Sequence, residues 1–510
     1  MVRADSLAVS RGRVVAVGNR LEHDPDFKSY ERHDLKGKTV IPGFVDAHTH
    51  FVYFANSLGK IKLNDCKSVD ACLKTVKRHA SRMSGKDWII GDGLTIEQFR
   101  PRREPTRYDL DKVTGHRPAF ILTKDHHLAW VNSAALKAAG ITKRTPDPKG
   151  GMIECDADGH PTGIIRETPS FDLVLKHLKR PSKRQLDQAY EKALQHAYSQ
   201  GVTGIHSFDY ELEALQYLIA RRNKTGLRIN IYPEARNMPA LRKSEIDDLR
   251  DNEWFRIAGI KIYSDGALGS QTALCFNQYQ GSKRNRGIEV TSVPLMTKHI
   301  KQAARLGLPC AIHAIGDQAV DNVLTAMEKA ASPTKVGRHR IEHLQLVRRK
   351  DLARVRKLGV VASMQPSHCP SDMDMIHKYW GGRGKNAFVF RTVIDQGIDY
   401  AFGSDCPIEP LNPIAGIAAA VRRARRGKRD VFYPEQRITA TEALYGFTVG
   451  SAIASGEFDR RGRLLPGFPA DFAVLSQDPT RIAPARIYET EVLATVLDGQ
   501  VKYCRRPLNL

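Results

Sequence analysis

Six residues of this 510-residue chain are of types that together hold a metal ion: His48, His50, Lys261, His313, His343 and Asp405. The first two lie in the stretch IPGFVDAHTH, directly after a short apolar run. Successive side chains on a strand turn to opposite faces, so two histidines two apart point the same way. That spacing alone does not define a site, because surface strands carry such pairs without a ligand. His313, in AIHAIGD, fits a satisfied core histidine equally well, and His343, in IEHLQ, fits the start of a helix. The case is a joint one: all six stand at the C-terminal ends of predicted strands. Four imidazoles and a carboxylate suit zinc or another borderline divalent ion. Lys261 is the exception, since an ammonium repels a cation. It becomes a ligand only as the neutral amine or as the anionic carbamate that such an amine forms with carbon dioxide, and burial favours the neutral form. The alternative is a lysine that anchors a substrate carboxylate.

The elements that would position these residues are legible as short apolar runs. Eight predicted strands cover 39–48, 201–208, 228–233, 257–264, 309–314, 339–344, 359–365 and 398–405. Amphipathic stretches such as KRQLDQAYEKALQHAYSQ and PLMTKHIKQAARLG separate most of them. Alternating strands and helices of this number predict an α/β chain with a closed (β/α)8 TIM barrel, in which the strands' C-terminal ends converge on one site. The gap after the first strand is too long for one helix, so an insertion of about 60–180 is expected, lying over that face. Both chain ends are β-rich. LAVSRGRVVAVG reads as a hairpin turning at Arg11-Gly12, and ATVLDGQVKYC as another turning at Asp498-Gly499. The expected organisation is a small β-sandwich domain from residues 1–38 and 460–510, attached to a barrel domain of 39–459.

Bulk properties narrow the function classes. A hydrophobic fraction of 41% and a charged fraction of 26% are ordinary for a globular protein. No apolar run is long enough to span a bilayer, and the N-terminus lacks a signal-peptide core, so a cytoplasmic protein with no membrane partner is expected. Eight cysteines without a Cys-x-x-Cys pair read as reduced thiols rather than a disulfide framework or zinc ribbon. The net charge of +23 comes from dispersed residues, and its densest run, VRRARRGKRD, reads as an exposed helix end. No nucleic-acid-binding motif accompanies it, so no specific nucleic-acid partner is expected.

The ordered set PGFVDAHTH, KIYSDG, IHAIGD, RIEH and GSDCP resembles the amidohydrolase superfamily. Further stretches, GDGLTIEQF, DHHLAWVNSAAL, TPDPKGG, GHPTGIIRE, ASMQPSH and GRLLPGFPADFAVL, resemble its family 3, the YtcJ-like branch that includes N-substituted formamide deformylases. The resemblance covers nearly the whole chain. It implies a metal-dependent hydrolase of non-peptide carbon–nitrogen bonds in a small-molecule amide. It further implies His48 and His50 as first-metal ligands, His313 and His343 as second-metal ligands, and Lys261 as a bridging, carboxylated lysine in the two-metal arrangement. Asp405 is implied as the ligand that takes the water proton and passes it to the leaving amine. The metal is expected to be zinc, as one ion or two. His127, Asn132, Glu167, Asp265, Gln365 and His368 are candidate substrate contacts, set against roles in caps, turns and loops. Cys406 reads as a small packing residue. An N-substituted formamide is one candidate substrate. A cyclic amide or imide, or an N-acyl amino acid, is another for the same site. A non-catalytic binding barrel would show lost ligand positions, whereas all six are filled. A homodimer is the base-rate expectation for oligomeric state.

Overall fold

The structure, a computed structural model, describes residues 3–83, 87–96, 99–123, 128–148, 151–178, 182–209, 212–331, 337–505 and 508. The chain begins with the expected hairpin, β1 (Ser6–Ser10) and β2 (Arg13–Gly18), which turns through Arg11 and Gly12, both at positive φ. Next come β3 (Thr39–Pro42) and β4 (Phe44–Thr49). Residues 39–48 were expected as one barrel strand, but β3 pairs antiparallel with a C-terminal strand, and only β4 joins the parallel strands. The chain changes sheets at Gly43. A Cβ there would lie 2.3 Å from the Thr203 hydroxyl, so only glycine admits this crossing.

Ala55–Tyr190 is a compact unit of its own, wider than the expected 60–180. Its strands are β5 (Ile61–Lys62), β6 (Ile89–Leu94), β7 (Ala119–Thr123), β8 (Leu128–Val131), β9 (Met152–Cys155) and β10 (Pro161–Arg166). They form a mixed sheet in the order β5-β6-β7-β8-β10-β9. Neighbouring residues separate onto its two faces: Ile121, Trp130 and Ile164 join one apolar cluster, and Phe120, Ala129, Val131 and Ile165 join another. Both faces are therefore covered, and the strands read as continuous apolar runs rather than alternating ones.

The second unit, Met1–Phe54 with Glu191–Leu510, holds the parallel strands. These are β11 (Val202–Ser207), β12 (Arg228–Ile231), β13 (Phe255–Ile257), β14 (Ile260–Tyr263), β15 (Cys310–Ala314), β16 (Arg340–His343), β17 (Val361–Met364) and β18 (Tyr400–Phe402). They make two parallel sheets, β13-β12-β11-β4 and β14-β15-β16-β17-β18. The predicted strand 257–264 is broken in two: β13 pairs with β12 and β14 with β15. Isolated parallel bridges, Thr49↔Cys406 and Glu234↔Lys261, join the two sheets at both seams. Helices intervene as their periodicity predicts. In Val293–Arg305, for example, Met296, Ile300 and Ala303 form the buried stripe.

The chain ends in β19 (Phe472–Leu475), β20 (Val492–Leu497) and β21 (Gln500–Cys504), in the sheet β21-β20-β19-β3. This sheet and the N-terminal hairpin share one apolar cluster, with Val14, Phe472, Val474 and Val496 at its centre. These terminal strands fall in the same compact unit as the parallel strands rather than in a separate one. Among the described residues, no helix is long and apolar enough to cross a membrane. The eight cysteines are thiols rather than disulfides, and six are buried.

Candidate metal centre

The C-terminal ends of the parallel strands bring His48, His50 and Asp405 together. Among the described residues, these three form a group whose donor atoms lie within 4.8 Å of one another. His48 is the penultimate residue of β4, His50 follows that strand, and Asp405 follows β18. Backbone bonds lock the two segments: Asp405 N–H donates to His48 O at 2.7 Å, and His50 N–H donates to Cys406 O at 2.8 Å.

Hydrogen bonding fixes which ring nitrogens face inward. His48 Nδ1 lies 2.5 Å from Glu342 Oε2, and a carboxylate can only accept, so Nδ1 carries the proton. His50 Nδ1 lies 2.9 Å from the carbonyl of Phe208, which likewise only accepts. Both Nε2 atoms then face Asp405 Oδ1, at 3.5 Å for His48 and 3.2 Å for His50. Three electron-pair donors aimed at one point need a cation between them. Each imidazole also has the second partner that orients a metal ligand.

The electrostatics match. Burial, reinforced by the charge of Lys261 and opposed by Glu342, lowers the His48 pKa to about 4. Burial likewise lowers His313 to about 3 and His343 well below its ordinary value. These rings are neutral at neutral pH, the form that binds a metal. Burial works against ionisation of Asp405, but the surrounding imidazoles of His50, His48 and His343 outweigh it and hold the carboxyl well below the usual range.

The remaining expected ligands surround this group. The His343 ring centroid is 5.1 Å from that of His48 and 4.5 Å from that of His313. His313 Nε2 lies 3.0 Å from Gly266 O, so a proton there leaves the Nδ1 lone pair as the donor to an ion. Lys261 Nζ is buried with no hydrogen-bond partner, 4.7 Å from the Phe208 ring centre and 4.9 Å from that of Tyr263. Burial lowers its pKa to about 8 against the pull of Glu342 and Asp405. A buried, unbonded amine beside electron-pair donors is the feature that the lysine reading calls for. The residues present therefore fit a divalent ion.

The expected substrate contacts divide. His368 Nε2 lies 3.6 Å from Asp405 Oδ2, which places this ring beside the site. Gln365 is buried and donates to Ser363 O at 3.3 Å. Asp265 braces the scaffold: its carboxylate accepts from the N–H groups of Leu274, Ile315 and Gly316 at 2.8–3.1 Å, which ties two loops together beside His313. Asn132 is also scaffold. Its Oδ1 accepts from the N–H groups of Ala119 and Ala135, and its Nδ2 donates to Thr114 Oγ1 and Arg117 O, leaving no capacity for a substrate. Glu167 is exposed at positive φ just before the helix Thr168–Leu175. His127 lies outside the described residues.

Two residues that sequence reading passed over complete the centre. Glu342, which holds His48, is fully buried and bonds to Arg340 through both carboxylate oxygens, at 2.5 and 3.1 Å. Ser363 Oγ donates to it as well, at 2.7 Å. Burial raises the Glu342 pKa, but Arg340 and His48 outweigh it and hold the group well below the carboxylate range. The signal lay in RIEH: opposite charges two apart in an apolar strand share a face, and buried charges are paired.

The amidohydrolase family model matches residues 31–503. The chain belongs to the amidohydrolase family. It is 33% identical over 511 residues to the protein YtcJ of Bacillus subtilis strain 168, covering 98% of this chain and 96% of that one. It is 28% identical over 525 residues to the N-substituted formamide deformylase of Arthrobacter pascens, covering 98% and 95%. The structure is similar to that of an uncharacterized metal-dependent hydrolase from Pyrococcus horikoshii OT3, with TM-score 0.78, 28% identity and 94% of each chain covered. This amidohydrolase is a hydrolase acting on carbon–nitrogen bonds other than peptide bonds.

Proposed function

We propose that this amidohydrolase cleaves the amide of a small N-substituted formamide with water, at the centre formed by His48, His50 and Asp405. The observation that carries the reading is the convergence of two Nε2 lone pairs and one carboxylate oxygen on a single point. The two parallel sheets, bridged at both seams, are read as one closed (β/α)8 barrel with this point at its C-terminal end. The donor set of imidazole nitrogen and carboxylate oxygen favours zinc. His48, His50 and Asp405 would hold one ion. His313, His343 and a carboxylated Lys261 would hold a second, the carbamate giving the otherwise unbonded Nζ an anionic role.

A bound divalent ion supplies Lewis acidity and lowers the pKa of water to about 7. The chain's own residues do the rest. Asp405 Oδ1 faces the imidazoles, which leaves Oδ2, on the His368 side, to take the water proton. The same oxygen returns the proton to the departing nitrogen, which leaves poorly as an anion. Glu342 keeps the His48 ring from turning. The formamide reading draws support from the Arthrobacter pascens relative.

The test is a screen of N-substituted formamides, acetamides, N-acyl amino acids and cyclic amides against protein loaded with zinc, manganese or cobalt. Formamides are expected to turn over fastest, and Asp405→Asn to lower kcat by about 100- to 10,000-fold. Preference for another amide class moves the substrate assignment. Absence of both stoichiometric metal and hydrolysis overturns the reading. Metal content of Lys261→Met decides the number of ions: a fall from two per chain to one or none supports the bridging lysine, and an unchanged count removes it.

A further inference from the structure

A second polar site lies at the opposite ends of the same strands. A narrow cavity opens where β4, β11 and β12 begin, and His206, Asn230, Glu457, Arg461 and Asp471 are among the residues lining it. It leaves about 30 Å³ for the centres of small guests. One water needs roughly 10–15 Å³ on this measure, so the cavity suits one or two waters or a single small ion.

The lining is polar but incompletely paired. His206 is fully buried, and Arg340 Nη1 lies 2.8 Å from its Nδ1. A guanidinium only donates, so Nδ1 accepts and the ring proton sits on Nε2. That N–H is buried without a partner. Asn230 donates from Nδ2 to Glu457 Oε2 at 2.7 Å, which fixes its orientation and leaves Oδ1 buried without a partner. Arg461 Nη1 is also buried without one.

Charge is concentrated beside these donors. Arg256, Arg460 and Arg461 lie 3.1, 3.4 and 2.8 Å from Glu457 Oε1, and Arg256 and Arg461 are largely buried. Three guanidiniums share one carboxylate. Asp471 adds a carboxylate beside them, which Arg228 engages through both oxygens while also reaching Asp498 and Glu253. Burial lowers the pKa of Arg461 against the pull of Glu457 and Asp471. Two buried donors without an acceptor, His206 Nε2–H and Arg461 Nη1–H, are relieved by the same guest, and the guanidinium favours an anion in that place.

We propose that this cavity binds one small monovalent anion, a halide or a planar oxyanion of bicarbonate size, between Arg461 Nη1 and His206 Nε2–H. A bicarbonate hydroxyl would also donate to Asn230 Oδ1, whereas a halide would leave that atom to a water.

The full-length protein, dialysed into gluconate, is followed by thermal unfolding at constant ionic strength as chloride, bromide or bicarbonate replaces gluconate. A saturable rise in midpoint of about 2 °C or more is expected, and the anion that produces it identifies the guest. Asn230→Asp places a fixed negative charge in the cavity and abolishes the saturable rise, as does Arg461→Met. The aspartate variant carries the comparison if the methionine variant does not fold. A crystal grown in bromide or bicarbonate is expected to show the anion between Arg461 and His206. A rise that never saturates and is the same in both variants, or a crystal with only water in the cavity, overturns the proposal.

Discussion

His48 shows how much a single side chain depends on what lies behind it. One ring nitrogen faces Asp405 and the other faces Glu342, whose charge is sustained by Arg340 and Ser363. Partners of this kind orient a metal ligand and raise its basicity, and losing one typically costs 10- to 100-fold in affinity, to order of magnitude. Glu342→Gln keeps the shape but removes the charge and leaves Arg340 buried without its counter-ion. Metal affinity, measured by competition with a chelator, is expected to fall by about that factor, and stability by about 3–5 kcal/mol. Unaltered affinity would show that His48 needs no carboxylate to hold its ring.

At the scale of the element, the centre depends on strand ends that leave regular geometry. His343 and Asp405 hold φ of 71° and 61°, a region that L-residues enter at a cost of about 1–3 kcal/mol. These turns bring side chains onto the face of the candidate centre that strict alternation would send elsewhere. Gly403, just after β18, passes so close to β4 that a Cβ would lie 2.4 Å from His48 N and 2.8 Å from Asp46 Oδ1. Gly403→Ala must therefore push β4 and β18 apart where they carry His48 and Asp405. Stability is expected to fall by at least about 1–3 kcal/mol, and bound metal to fall with it. Calorimetry and metal analysis of the same preparation check both. The alternation legible in sequence placed His48 and His50 on one face. It could not show that His343 follows Glu342 on the same strand yet also reaches the site, because that depends on one backbone angle.

The whole molecule is stabilised in part by buried charge remote from the candidate metal centre. Burial pushes Glu457 up, but Arg461, Arg256 and the bond from Asn230 outweigh it, and its pKa falls from 4.5 to about 2. A carboxyl depressed on folding contributes stability that is fully present above its unfolded pKa. That contribution is lost as pH falls from about 4.5 towards 2, and it amounts to about 3 kcal/mol. Glu457→Gln is expected to be less stable than the parent by about that amount at pH 7, with the difference shrinking across this window. Denaturant unfolding of both proteins between pH 7 and pH 2 measures it, and a difference independent of pH would place the stabilisation elsewhere.

The sequence by itself determined the strand and helix alternation, both terminal hairpins, the insertion and the residue types that stand at the candidate metal centre. Each of these is written in local periodicity, turn residues or short motifs. Only the tertiary structure decided that Thr39–Pro42 belongs to the terminal sheet, that Glu342 and Arg340 stand behind His48, and that Asn132 and Asp265 are committed to the scaffold. Those outcomes depend on which strands become neighbours and which donors meet which acceptors across long separations in sequence. The cavity beneath the strands is of the same kind. His206, Asn230, Glu457 and Arg461 are ordinary residues apart and become a site only where the fold buries them together.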